Sequence, residues 1–227
     1  SNAEIKKIRK ACEIANIGFA NIPDHARVGQ TERDICKQMR IDMLHAGADI
    51  IKYLISGSGP DGYDSIIMGP TDRQLTKGDV LIIDVGAVYD GYFSDFDRNF
   101  AFGRPSDATL KAYTAVYEAT DAGFKAARPG ATTSDVYTAM WSVMEQAGAL
   151  GNDVGRLGHG LGIQLTEWPS NTASDNTLLE PGMVITLEPG MMYAPGKSMV
   201  HEENLVITKN GAEYLSVRCP PELTIIE

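Results

Sequence analysis

The stretch that decides the fold runs Val80-Leu81-Ile82-Ile83-Asp84-Val85-Gly86-Ala87-Val88-Tyr89-Asp90-Gly91-Tyr92-Phe93-Ser94-Asp95-Phe96-Asp97. An apolar, β-branched run is interrupted by one acid and then turns at Asp-Gly, a dipeptide suited to the positive φ angles of a two-residue hairpin. With Asp90-Gly91 at the turn, Tyr89 faces Tyr92, Gly86 faces Asp95 and Asp84 faces Asp97. Opposed residues share a face and faces alternate with period two, so Asp84, Asp95 and Asp97 are expected on one side of the hairpin. Carboxylates gathered on one face repel one another and need a counter-charge if buried. A solvated edge is the plainer alternative, but the continuously apolar neighbours suit a strand covered on both faces.

The same device recurs downstream. Gly182-Met183-Val184-Ile185-Thr186-Leu187-Glu188-Pro189-Gly190 aligns with Gly78-Asp79-Val80-Leu81-Ile82-Ile83-Asp84-Val85-Gly86, which makes Glu188 the repeat equivalent of Asp84. After a longer loop, His201-Glu202-Glu203-Asn204-Leu205-Val206-Ile207-Thr208 supplies the return strand. Upstream, Gly29 to Ile35 answers Gly130 to Val136, Met39 and Met43 answer Met140 and Met144, and Ala46-Gly47-Ala48 answers Ala147-Gly148-Ala149 at one constant offset. The chain therefore reads as two related halves, about 4–105 and 106–227, each with two helices followed by strands. Apolar residues three and four apart predict the helices over Glu4 to Ala20, Glu32 to Ala46, Asp107 to Ala127 and Ser134 to Gln146. Starts are expected near Thr31 or Asp34 and at Thr133, with stops at Gly47 and Gly148. Two such hairpins facing each other across an approximate twofold axis would bring four carboxylates to one point.

Composition narrows the function classes. The 227 residues suffice for one sizeable core or two intimately joined halves. No run approaches the length of a membrane span, and no secretory leader is visible. Thirty acidic against twenty basic residues give a formal charge of -10, which repels nucleic acid and anionic lipid. Cys12, Cys36 and Cys219 are scattered and odd in number, which suits a reducing cytoplasm. Ser1-Asn2-Ala3 reads as the remainder of a tag, and the pattern that begins at Glu4 without a natural start signal suggests a longer parent with a further N-terminal domain.

Gly158-His159-Gly160-Leu161-Gly162 sets one imidazole among glycines that permit close backbone approach. It lacks the lysine and spacing of a phosphate loop. With Ile83-Asp84-Val85-Gly86, Gly91-Tyr92-Phe93-Ser94-Asp95, Leu187-Glu188-Pro189-Gly190 and Glu202 ahead of Leu205-Val206-Ile207-Thr208, the whole chain resembles the pita-bread metallopeptidases: methionine aminopeptidase, prolidase, aminopeptidase P and creatinase. That resemblance implies an α+β pita-bread fold of two pseudo-twofold halves, a homodimer, and a site holding two divalent ions. By it, Asp84 would chelate one ion, His159 and Glu188 the other, and Asp95 and Glu202 would bridge both. Glu188 and His159 are the expected catalytic residues, with Glu188 moving the proton. The donor set suits Mn²⁺, Co²⁺, Zn²⁺ or Fe²⁺, with manganese the first expectation.

The expected activity is hydrolysis of an amide bond in a Xaa-Pro peptide. Departures from the family pattern keep a second class open. Tyr63 to Leu75 lacks the histidine that proline-specific members carry ahead of the first metal strand, Thr166 stands where a histidine is common, and Val200 where an arginine often grips substrate. Hydrolysis of a small non-peptide amide or amidine, related to ectoine or creatine, is that alternative; a silent binding protein would be expected to lose the ligands. Asp97 replaces a usual threonine and is open to two readings, an acid paired with Arg98 or a further contact to the metals. His201 is open to a role as proton shuttle or as an ordinary polar residue.

Overall fold

The computed structural model describes residues 1–152 and 154–227. Its elements run α1 (Asn2–His25), α2 (Glu32–His45), β1 (Ile50–Pro60), β2 (Asp79–Tyr89), β3 (Tyr92–Phe93), β4 (Phe96–Phe102), α3 (Asp107–Ala126), α4 (Thr133–Gln146), β5 (His159–Gly160), β6 (Glu167–Ser170), β7 (Val184–Leu187), β8 (Gly190–Ala194), β9 (Lys197–Val200), β10 (Glu203–Thr208), β11 (Gly211–Tyr214) and β12 (Thr224–Ile226). One sheet has the order β1-β2-β4-β12 with β3 on β2, the other β11-β10-β7-β5-β6, and β8-β9 form a separate hairpin. This is the α+β arrangement of paired halves expected from the repeat.

Local chemistry explains the second helix of each half. Thr31 and Asp34 form a reciprocal capping box, and Thr132 with Asp135 repeats it, so that two of the orphan N–H groups at each helix start are satisfied. The cap of the fourth helix is thus Thr132, one residue before the expected Thr133, because it is Thr132 that reaches the Asp135 amide. The first helix extends past Ala20 to His25 with Pro23 inside it, and Ser1 caps it together with Glu4.

The helix pairs close on glycine. A Cβ at Gly18 would meet Met39 and Met43, and one at Gly123 would meet Met140. Each first helix therefore lies low against its second, and the four methionines Met39, Met43, Met140 and Met144 are buried beneath. The core has two lobes, one around Leu81, Ile83 and Val85 with α1 and α2, the other around Ile185, Leu187 and Leu205 with α3 and α4.

The hairpin keeps the expected register, with Tyr89 opposite Tyr92 and Asp84 opposite Asp97. One expected pair is missing from the ladder. Gly86 does not pair with Asp95, because the backbone of Asp95 is engaged by the second half: its N–H donates to Asn204 Oδ1 at 2.9 Å and its carbonyl accepts from Asn204 Nδ2. Strand pairing is also not wholly antiparallel, since β12 runs parallel to β4. Met140→Ala should open a cavity where α4 meets Gly123 and cost about 2–5 kcal/mol, read as a shift in urea unfolding midpoint without a change of slope.

Candidate metal centre

The two halves deliver their acids to one place. Asp84 sits mid-strand in β2, Asp95 in the break between β3 and β4, His159 at the start of β5, Glu188 just past β7, and Glu202 just ahead of β10. Leu187 pairs with Glu203, so Glu188 and Glu202 occupy the next facing step beyond the ladder. One ligand-type atom from each of Asp95, His159 and Glu202 lies within 4.8 Å of the other two, all buried. Asp95 Oδ2 is 3.4 Å from His159 Nε2. Asp84 and Glu188 are half-buried, and their charges act on the same group: Asp84 feels burial first, then Asp95 and Glu188, and Glu202 feels burial, then Asp95, Asp84 and Glu188. Those effects hold the carboxyls of Asp84 and Glu202 well above the ordinary range, and burial followed by Glu188 does the same to Asp95.

The imidazole is oriented by its backbone. His159 Nδ1 donates to the Gly160 carbonyl at 2.9 Å, which leaves Nε2 with its lone pair toward Asp95, and the His159 N–H donates to Thr186 Oγ1. Burial chiefly pushes its pKa down, which favours the neutral, ligating form. Gly158 makes that turn with φ +137°, and a Cβ there would collide with the Thr186 carbonyl and with Asn171 Nδ2.

The site fits a cation. Buried oxygens of Asp84, Asp95, Asp97 and Glu202 have no hydrogen-bond partner among the described residues, although buried polar groups nearly always have one. Oxygen donors with one imidazole suit first-row divalent metals. Among the described residues, the lysine or arginine side chain paired with the five is Arg156, whose Nε is 3.2 Å from Glu188 Oε1.

Three supporting residues carry no pattern that flags them in the sequence. Arg156 is a lone cation in a glycine-rich loop, Tyr53 places its hydroxyl against Asp84 from β1, and Asn204 clasps Asp95 from the other half. His201 does not join the centre. It points to the opposite face of its segment, fully buried, with Nδ1 2.9 Å from Thr120 Oγ1 and its other ring nitrogen against the Cys219 thiol and Arg218. A shuttle role at the five-residue site is thereby removed. The trio His201, Glu203 and Cys219 could by type hold a metal, but Arg98 and Arg218 already supply Glu203 with its counter-charge.

Residues 6–210 match the model of metallopeptidase family M24. The chain belongs to that family. It is 35% identical over 225 residues to a probable dipeptidase PepE of Mycobacterium tuberculosis, covering 98% of this chain and 59% of that protein. It is 34% identical to the Xaa-Pro dipeptidase of Pyrococcus furiosus over 220 residues, 94% of this chain and 61% of the relative. Among solved structures, the PepE dipeptidase of Mycobacterium ulcerans superposes with a TM-score of 0.93 at 33% identity, over 100% of this chain and 61% of that one. The Pyrococcus furiosus prolidase gives 0.91 at 31% identity, over 97% and 65%. The M24 member described here thus has the pita-bread fold and spans about three fifths of the relatives it matches.

Gly158→Ala should displace the His159 turn. The expected result is a loss of about 1–3 kcal/mol of stability, with a shifted His159 ring resonance in the NMR spectrum, whereas an unshifted resonance would show that the turn tolerates a side chain.

Proposed function

We propose that this M24 chain is the catalytic unit of a two-ion amide hydrolase acting on Xaa-Pro peptides, as a dipeptidase or aminopeptidase. The observation that carries it is the set of unpartnered buried carboxylate oxygens converging with His159. Asp84, Asp95, His159, Glu188 and Glu202 would hold the ions. When bound, such ions supply Lewis acidity toward the substrate carbonyl and lower the pKa of a water toward neutrality.

The side chains divide the remaining work. Arg156 pins one oxygen of Glu188, so the other is free to take the proton of the attacking water and return it to the leaving amine. His159, with Nδ1 held by Gly160, keeps Nε2 as a fixed donor. Tyr53 and Asn204 hold Asp84 and Asp95 in position, which preserves the geometry on which such catalysis depends. Manganese is the ion we favour, with cobalt, zinc and iron as alternatives. A homodimer in a reducing cytoplasm is the setting this reading carries with it; the three free, buried thiols agree with that compartment. Among the described residues no helix is long and apolar enough to cross a membrane.

A second reading rests on one specific cavity. Gly190 and Val200, each two residues from a candidate ligand, border a small cavity of about 70 Å³ lined by Ile66, Ile67, Val154, Met191 and Met192 together with Asp64 and Asn152, with no basic side chain among the lining residues. With an acid and no base in its lining it suits an uncharged group better than a terminal carboxylate, as in a small non-peptide amide. The deciding experiment compares Mn²⁺-dependent hydrolysis of a Xaa-Pro dipeptide, a longer Xaa-Pro peptide and a neutral N-acyl amide by the full-length parent, with metal content measured alongside. Cleavage of either peptide, reduced about 10²–10⁴-fold in Glu188→Ala, is expected. Bound metal with turnover of the neutral amide alone would favour the second reading, and a protein that binds no divalent metal would overturn both.

A further inference from the structure

One acid at the wall of the centre is left without a role by the five-residue set. Asp97 stands directly across the ladder from Asp84 and is only 1% exposed. Its sequence neighbour Arg98 does not neutralise it. The Arg98 side chain donates to the main-chain carbonyls of Asp97, Glu202 and Val217 and pairs with the Glu203 carboxylate at 3.1 Å. Asp97 Oδ1 has no hydrogen-bond partner among the described residues.

The groups around it make matters worse for a bare carboxylate. Its charged surroundings include Asp84, Glu203 and Glu188, with Arg98 opposing them, and Asp97 in turn acts on Asp95 and Glu202. Asp97 therefore feels or exerts its charge on all four carboxylates of the candidate centre. An ionised carboxylate only accepts hydrogen bonds, so Asp97 and Asp84 cannot satisfy each other as two anions. A threonine at this position could donate to Asp84; an aspartate cannot. What suits two facing acids that each keep a buried oxygen without a partner is a shared cation.

We propose that Asp97 is an additional oxygen donor to the metal centre, and that it biases the centre toward ions that accept many oxygens, such as Mn²⁺, over Zn²⁺. The inference rests on the metal-centre reading above. Zinc is content with four ligands and favours nitrogen and sulfur, whereas manganese suits an oxygen-rich, higher-coordinate shell. A sixth side chain, and a fifth carboxylate, therefore benefits manganese more.

The test strips the chain with chelator and measures Mn²⁺ and Zn²⁺ affinity by competition with a fluorescent chelator, with bound metal counted by mass spectrometry. Wild type, Asp97→Asn, Asp97→Thr and Glu202→Gln are compared. Both Asp97 variants should lose Mn²⁺ affinity by about tenfold or more, with a clearly smaller loss for Zn²⁺. Their metal-free forms should melt no lower than wild type, because an unpartnered buried charge has been removed. Wild-type Mn²⁺ affinity in both variants, with metal lost in Glu202→Gln, would overturn the role of Asp97 and leave the metal centre standing. Equal losses for the two ions would overturn the selectivity. A lower melting temperature with unchanged affinity would assign Asp97 to structure alone. Wild type that binds neither ion would overturn the metal-centre reading itself.

Discussion

Four carboxylates and an imidazole brought together inside an apolar double-sheet structure constitute the constraint from which the rest follows. Asp84 stands between buried Ile83 and Val85, and Glu188 follows the buried run Val184–Leu187, so water cannot be relied on to screen the repulsion. Asp84, Asp95 and Glu202 all hold their protons more tightly than ordinary acids, for the same pair of reasons, burial and one another. Hydrophobic packing on both lobes and the reciprocal Asn204 clasp on Asp95 hold the arrangement together against that repulsion. A fold shaped this way is under electrostatic load that a bound cation relieves, and metal binding is thereby linked to stability.

The duplication shows how the load is shared. Gly18 over Met39 and Met43 is answered by Gly123 over Met140, and the Thr31 to Asp34 capping box by Thr132 to Asp135. The scaffolding of the two halves is therefore nearly equivalent. Their contributions to the site are not. The first half offers its acids along a hairpin closed by a tight turn, whereas the second spaces its acids with the β8-β9 hairpin and alone supplies His159 and Arg156. Symmetry provides the convergence, and departure from symmetry provides an imidazole and a cation on one side of the site.

Much of this was legible before any coordinates. The Asp90-Gly91 turn fixes register, and period two then places Asp84 opposite Asp97 without further information. The repeat does the same for Glu188. What could not be read was tertiary: Asp95 leaves the ladder because a side chain from the other half captures its backbone, and no local pattern announces such a capture. Arg156 was passed over for a related reason, since a single arginine in a glycine-rich loop has no periodicity to place it. His201 is different. Strand alternation alone sets His201 and Glu203 on the face opposite Glu202, so its separation from the centre follows from the same spacing that points to the candidate ligands.

That alternation gives the sharpest internal comparison in the molecule. Glu203 is completely buried, yet its carboxylate accepts hydrogen bonds from Arg98, Ser216 and the Cys219 N–H, with Arg218 at 3.5 Å. Glu202, one residue earlier and equally buried, has an oxygen with no partner at all. The same pairing holds on the facing strand, where Arg98 is fully engaged and Asp97 is left bare. Two adjacent residues on each strand thus share burial and backbone but differ in whether the fold has provided for their charge. A general tolerance for buried charge would leave both faces incomplete, and a lack of available donors would leave both short of partners. Among the described residues, the carboxylates left with an unpartnered buried oxygen are those that look into the centre. Charge on that face therefore suits a partner outside the polypeptide, and the oxygen-rich set of donors fits a metal ion.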